Sequence, residues 1–207
     1  MSKLYIVGIG PGSVEYLTIK AQKITDTVEV LVGSERALKL FPESKAEKIV
    51  LNSKNMKNFF KQAVSEVRKG KSVALLSTGD PGFSGILKPV LDLKGDVELE
   101  VIPGISSIQL CASTLQISWD EVNIITLHGK GDSIELLELL DNGKPTMILP
   151  NFNVKETAKY LLSKGVDSNR KVAVCEKLSY PDEKIVNMTL KDVLDEDFSY
   201  MCVMVIF

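Results

Sequence analysis

Histidine is nearly absent from this sequence of 207 residues: His128 is the only one. A lone histidine excludes multi-histidine metal centres and proton relays between two histidines. Cysteine is also scarce, and Cys111, Cys175 and Cys202 have neither zinc-site spacing nor the spacing of a disulfide framework. We therefore expect no bound metal, three buried thiols and a reducing, cytoplasmic compartment.

Long apolar runs and an excess of positive charge are also missing. No run approaches the ~20 apolar residues that cross a membrane, and the apolar start at residues 4–7 is too short for a signal peptide. The formal net charge of -2 gives no basic surface for nucleic acid. No serine lies in a nucleophile elbow. We expect a protein that binds neither membranes nor nucleic acid and that is not a serine hydrolase.

Strand-like and helix-like segments alternate through the first half of the chain. A helical stripe runs from Met56 to Val67, and Gly70 is placed to end that helix. Alternation of this kind predicts an α/β domain with a mostly parallel sheet and right-handed crossovers. The predicted strands are residues 4–7, 28–32, 47–51, 72–76 and 97–102.

The second half predicts a mixed sheet, because its last strands have short connections. The pattern breaks at Ile117-Ser118-Trp119, so we expect two α/β domains, residues 1–117 and 118–207. The predicted strands here are residues 122–127, 145–150, 171–176, 183–189 and 200–206.

Gly8-Ile9-Gly10-Pro11-Gly12-Ser13 follows the first strand and is similar to a dinucleotide fingerprint. Ser13 occupies the position of the third glycine, and Pro11 removes a backbone donor. Both features disfavour NAD or FAD. Glu35, near the end of the second strand, only weakly suggests the ribose-binding acid of a nicotinamide enzyme.

Two further loops allow two interpretations each. Residues 77–85 form either a ligand-binding loop at a strand end, or a helix start with Asp80 as N-cap and Pro81 as first residue. Ser106 and Ser107 either cap an ordinary helix or hold a carboxylate with hydroxyl and N–H groups. The residues alone indicate a two-domain α/β protein that binds a small molecule.

The ordered motifs Gly8-Ile9-Gly10-Pro11-Gly12, Thr78-Gly79-Asp80-Pro81 and Pro103-Gly104-Ile105-Ser106-Ser107 resemble those of the tetrapyrrole methylase family. This family uses S-adenosylmethionine, and the resemblance spans nearly the whole chain. Residues 125–130 and 176–185 are similar to the branch that methylates cobalt-precorrin-7 at C5 in cobalamin biosynthesis. Two departures stand out: Lys130 replaces an arginine, and Pro150-Asn151-Phe152 replaces a Thr-Asp sequence.

The resemblance implies a tetrapyrrole methylase fold, with the cofactor in a cleft between the domains, and a homodimer. The implied substrate is a tetrapyrrole, and S-adenosylhomocysteine is the product. The implied cofactor-binding residues are Pro11, Thr78, Gly79, Asp80, Phe83, Ser106, Ser107, Leu149, Pro150 and Leu178. The implied substrate-binding residues are Gly10, Gly12, His128 and Lys130.

Methyl transfer from a sulfonium to an enamine-like ring carbon needs positioning more than proton transfer, so we expect no essential general base. His128 is the candidate if a base exists; otherwise it bonds a loop carbonyl. The rival functions are diphthine synthesis, methylation of ribosomal RNA, cofactor or tetrapyrrole sensing without turnover, and nicotinamide-dependent oxidoreduction. The slightly negative net charge disfavours methylation of ribosomal RNA. The segments near His128 and Glu176 disfavour diphthine synthesis.

Overall fold

A computed structural model describes residues 2–51, 55–129, 134–151 and 153–207. These residues form two compact units, residues 1–106 and 107–207, each built on a five-stranded sheet. The division falls after Ser106, whereas the break in the sequence pattern predicts a boundary after Ile117. Helix α5 (Ser107–Leu115) belongs to the second unit because it contacts that unit's strands: Cys111 Sγ lies 3.5 Å from Cys175 Sγ.

The sheet of the first unit is parallel throughout, with strand order β3-β2-β4-β1-β5. Its strands are β1 (Leu4–Gly8), β2 (Val30–Gly33), β3 (Glu47–Val50), β4 (Val73–Ser77) and β5 (Leu99–Ile102). Its helices are α1 (Ile19–Thr25), α2 (Glu35–Leu38), α3 (Met56–Arg68) and α4 (Leu87–Leu91).

Apolar clusters bury both faces of this sheet, as expected where helices cover a parallel sheet on each side. In β4, Val73 and Leu75 pack into the cluster that holds Phe60 of α3. Ala74 and Leu76 of the same strand pack into the cluster on the other face. The strand order makes β4 the central strand and places β1 beside it, so the loops that follow them start from fixed strand ends.

The second sheet is mixed, with strand order β6-β7-β10-β8-β9. Strands β6 and β7 are parallel, and β10 runs antiparallel to both β7 and β8. The carboxyl ends of β6, β7 and β8 therefore share one edge. The strands are β6 (Asn123–Thr126), β7 (Thr146–Leu149), β8 (Lys171–Glu176), β9 (Lys184–Thr189) and β10 (Cys202–Ile206).

Helices α6 (Ile134–Asp141) and α7 (Val154–Ser163) pack on one face of the second sheet. Leu136 of α6 and Leu161 of α7 lie in the same buried cluster as Ile148 of β7. The observed sheets confirm the predicted α/β class, with a parallel sheet first and a mixed sheet second. No helix among the described residues has the length and hydropathy that spanning a membrane requires.

Candidate active site

The first part of the site lies at the carboxyl edge of the parallel sheet. Strand order places β1 between β4 and β5, so the three glycine-containing segments that follow these strands leave the sheet side by side. Such edges are where open parallel sheets bind ligands. The three motifs that the sequence separates therefore meet in one region of the first unit.

Backbone hydrogen bonds join the segments after β1 and β4. Ile9 N donates to Ser77 O at 2.9 Å, and Gly79 N donates to Gly10 O at 2.7 Å. Gly10 and Gly79 form an isolated antiparallel bridge beyond the parallel ladder. Gly79 has a φ of +67°, which side chains rarely tolerate, so glycine is required for the turn that makes this bridge.

The segment after β5 packs against the other two at Gly104. A Cβ atom on Gly104 would lie 2.7 Å from the carbonyl carbon of Gly8 and closer still to the carbonyl oxygen of Gly79. No side chain fits such a gap between three backbones. Gly104 thus lets three loops touch through main-chain atoms alone.

Asp80 adds side-chain hydrogen bonds to this cluster. Its Oδ1 accepts from Gly82 N at 2.8 Å, and its Oδ2 accepts from Gly104 N at 3.1 Å. The interpretation of Asp80 as a helix N-cap, with Pro81 as the first helical residue, is wrong. Helix α4 begins at Leu87, because the Asp80 carboxylate bonds the neighbouring loop and its own turn instead.

The other residues expected in this part differ in exposure. Pro11 is buried, Phe83 is half-buried and Thr78 is exposed. Ser106 is half-buried, and its Cα lies 3.7 Å from where a Cβ of Gly79 would be. The first unit thus brings Gly10, Gly79, Asp80 and Ser106 together, as the sequence motifs require for a common site. The half-buried Gly12 follows Pro11 in the segment after β1, and Ser107 is the first residue of α5 in the second unit.

In the second unit, two adjacent loops contain His128 and Asn151. His128 N donates to Thr126 Oγ1 at 3.3 Å, and the ring Nδ1 lies 3.4 Å from the same oxygen. Gly129 N donates to Asn151 Oδ1 at 3.1 Å, which ties the loop after β6 to the loop after β7. Partial desolvation lowers the pKa of His128 below its usual value, so the ring is neutral at neutral pH.

The remaining expected contacts of this unit lie at the ends of β7 and β8. Leu149 and Pro150 are buried where β7 ends, and Leu178 is 4% exposed just after β8. Lys130 and Phe152 lie outside the described residues. The edge therefore has buried apolar side chains beside the polar loops of His128 and Asn151.

The loop that contains Leu178 is strongly constrained. Lys177 and Ser179 have φ values of +50° and +71°, which are uncommon for residues with side chains. Lys177 forms an ion pair with Asp182, and Ser179 N donates to Glu183 Oε2 at 2.7 Å. These supports and the bond from Gly129 to Asn151 are not predictable from the sequence, because neither a turn type nor a long-range partner follows from residue order. Backbone strain of this kind is typical of ligand-binding loops.

The three cysteines are buried, as predicted. Burial raises the pKa of Cys202 to about 12, and the hydrogen bond with Cys175, together with burial, raises the pKa of Cys111. Neither thiol is a nucleophile at neutral pH. Among the described residues, no three His, Cys, Asp or Glu side chains are grouped to hold a metal ion.

Taken together, backbone donors and acceptors dominate the first edge, and apolar and neutral polar groups dominate the second. Such surfaces suit a small-molecule-binding α/β enzyme that works by positioning its reactants. The chain belongs to the tetrapyrrole methylase family: the model of Tetrapyrrole (Corrin/Porphyrin) Methylases matches residues 3–194.

Curated relatives match over nearly the full chain. The probable cobalt-precorrin-7 C(5)-methyltransferase of Methanocaldococcus jannaschii is 47% identical over 205 residues, which cover 98% of this chain and 96% of that protein. The cobalt-precorrin-7 C(5)-methyltransferase of Salmonella typhimurium is 27% identical, with 88% of each chain covered. The cobalt-precorrin-4 C(11)-methyltransferase of M. jannaschii is 33% identical over 94% of this chain and 81% of its own.

Solved structures share the same fold. The cobalamin biosynthesis precorrin-6Y methylase of Archaeoglobus fulgidus has a TM-score of 0.79 at 26% identity, with 99% of this chain and 97% of that chain covered. The uroporphyrin-III C-methyl transferase of Thermus thermophilus, solved with S-adenosyl homocysteine, has a TM-score of 0.78 at 23% identity over 99% of this chain and 91% of that one. The protein is a methyltransferase of this family, and family members use S-adenosylmethionine.

Proposed function

We propose that this protein transfers the methyl group of S-adenosylmethionine to C5 of cobalt-precorrin-7 in cobalamin biosynthesis. The observation that carries the proposal is the 47% identity to the M. jannaschii protein over 98% of this chain. The convergence of the three glycine-containing segments at one sheet edge supports it, because the chemistry needs a donor held in a fixed position.

The residues at the first edge fit a sulfonium donor with an amino-acid end. The loops pack against one another through backbone atoms at Gly79 and Gly104. N–H groups and the hydroxyls of Ser106 and Ser107 suit the carboxylate of the methionine end. Thr78 and Phe83 line the site from the segment after β4, where Asp80 lies beside them, and Pro11 contributes from the segment after β1.

The contacts from the second unit are apolar in this proposal. Leu149, Pro150 and Leu178 cover the adenine ring, which is a flat apolar surface with polar edges. Gly10, Gly12, His128 and Lys130 contact the tetrapyrrole. Lys130 pairs with one of its carboxylates as a point charge and gives less directional recognition than an arginine.

Positioning of the two bound reactants accounts for most of the rate acceleration in this mechanism. Bound S-adenosylmethionine would supply a methyl group on a positively charged sulfur: the electron pair of the ring carbon would form the new C–C bond, and the C–S pair would stay on the sulfur of S-adenosylhomocysteine. Alignment of two bound reactants is worth roughly 7–11 kcal/mol of barrier. Neutral His128 carries no charge that would oppose the sulfonium, and no side chain is required to remove a proton in the transfer step.

We further propose a cytoplasmic homodimer. Three free, buried cysteines are consistent with a reducing compartment. Sedimentation of the purified protein at micromolar concentration tests the dimer, and a sedimentation coefficient of a monomer at all concentrations would contradict it.

Turnover with a labelled donor tests the activity. The protein is incubated with cobalt-precorrin-7 and methyl-¹³C S-adenosylmethionine, and the macrocycle is examined by NMR. We expect one labelled methyl at C5 and one S-adenosylhomocysteine per methyl transferred. Cobalt-precorrin-4 is the matched control substrate, because a relative named for that substrate is 33% identical. Binding of both ligands without label in the macrocycle would instead indicate a sensor.

A further inference from the structure

The Asp80 carboxylate connects two loops that come from different strands. Oδ1 accepts from Gly82 N, two residues further along the same loop, which closes a turn around the side chain. Oδ2 accepts from Gly104 N, in the segment after β5. One oxygen therefore fixes the side chain, and the other uses that fixed position to hold a second loop.

The N–H of Gly104 needs such an acceptor. Gly104 lies beyond the end of β5, where the strand ladder no longer supplies a carbonyl, and it is half-buried against Gly8 and Gly79. A partly buried N–H without a partner is costly, and a charged acceptor forms a stronger bond than a neutral one. Asp80 meets this need from a loop that is remote in sequence.

We propose that Asp80 is a positioning residue: its carboxylate sets the place of the segment from Gly104 to Ser106, and it acts on the donor through that segment. Ser106 is two residues beyond the held N–H, so its position depends on the Asp80 bond. The effect on ligand affinity rests on the proposed function, whereas the hold on Gly104 does not.

Asp80→Asn separates the two bonds. Asparagine keeps an oxygen for the turn with Gly82, but its NH2 group then faces the N–H of Gly104, and two donors cannot bond each other. We expect amide hydrogen exchange at Gly104 in the ligand-free protein to quicken by about tenfold to a hundredfold. Asp92→Asn is the control, since Asp92 is an exposed carboxylate after α4, and its variant should leave this rate unchanged.

The affinity for S-adenosylhomocysteine tests whether Asp80 affects ligand binding by positioning Ser106. We expect Asp80→Asn to weaken calorimetric affinity by about tenfold or more in the wild-type background, but less than about threefold in a Ser106→Ala background. Unfolding temperatures are recorded for each variant, and Asp80→Ser, which keeps only the oxygen needed for the turn, replaces Asp80→Asn if that variant fails to fold.

The outcomes are distinct. Unchanged exchange at Gly104 in Asp80→Asn overturns the proposal. Equal affinity losses in both backgrounds also overturn it, because Asp80 would then contact the ligand independently of Ser106. Faster exchange at Gly104 in a protein that never binds S-adenosylhomocysteine would support the hold on Gly104 and contradict the proposed function.

Discussion

Gly104 lies so close to the carbonyl oxygen of Gly79 that a methyl group on Gly104 has no room. This contact joins segments that follow different strands, and it places backbone atoms of both at the candidate site. Its consequence is that a very small change at Gly104 should separate the loops.

Gly104→Ala should therefore destabilise the protein by about 3 kcal/mol, the upper end of what overpacking costs, and should weaken donor binding. Chemical denaturation gives the free energy of unfolding, and calorimetry gives the affinity for S-adenosylhomocysteine. The control is Gly143→Ala, since Gly143 has a φ of +76° and open space around it. That variant should lose about 1–2 kcal/mol through backbone strain alone and bind normally. Equal effects of the two variants on binding would contradict the role of the contact.

Ser106→Ala should weaken S-adenosylhomocysteine binding by about tenfold, because one hydrogen bond to a charged group is lost. Methylthioadenosine has no amino-acid end, so its affinity should be the same for the variant and the wild type. Both ligands are measured by calorimetry, with Ser113→Ala, an exposed residue of α5, as the control. A matching loss for methylthioadenosine would show that Ser106 does not face the carboxylate.

His128 should not be an essential general base in the reaction. General bases are worth about 10² to 10⁴ in rate, so His128→Asn should lower kcat by less than about tenfold. Desolvation lowers the pKa of His128 below its usual value, which favours the neutral ring at neutral pH. We expect a flat kcat profile from pH 6.5 to 8 in both proteins. A hundredfold loss, with an acid limb present only in the wild type, would identify His128 as a base.

Glu66 should make the stability depend on pH in acid. Hydrogen bonds from Lys69 and Lys71 lower the pKa of Glu66 to about 2 from its ordinary value near 4.5. Because the folded pKa is depressed, the contribution of Glu66 is complete above pH 4.5 and is lost as the pH falls toward 2.

Glu66→Gln should accordingly lower the unfolding temperature at pH 7 and flatten its decline between pH 4.5 and 2. Differential scanning calorimetry across this range measures both effects. Glu43→Gln, at an exposed position, is the control and should leave the decline unchanged. Parallel declines for wild type and Glu66→Gln would contradict the assignment.

Local signals predicted most of the elements. The strand-like segment 171–176 predicts β8 with the bounds that the structure gives, since its apolar residues 172–175 lie between polar residues on both sides. Gly70 and Gly165 follow α3 and α7 with positive φ, as their positions after helical stripes indicate. Such features depend on neighbouring residues, which the sequence shows directly.

Contacts between residues that are remote in sequence were harder to predict. Asp80 followed by Pro81 satisfies the rule for a helix start, yet the partner that decides its role, Gly104, is remote in sequence. The place of α5 in the second unit likewise depends on the contact between Cys111 and Cys175. Family motifs identified the residues of the candidate site, whereas the bonds among them required strand order.

The convergence of Gly8, Gly79 and Gly104 also ties ligand binding to folding. Their strands are far apart in the chain, so the edge that they form exists only after β1, β4 and β5 have all paired. A donor bound there should therefore slow the global opening of the whole parallel sheet, with amide protection spread along all three strands rather than confined to the loops that touch it.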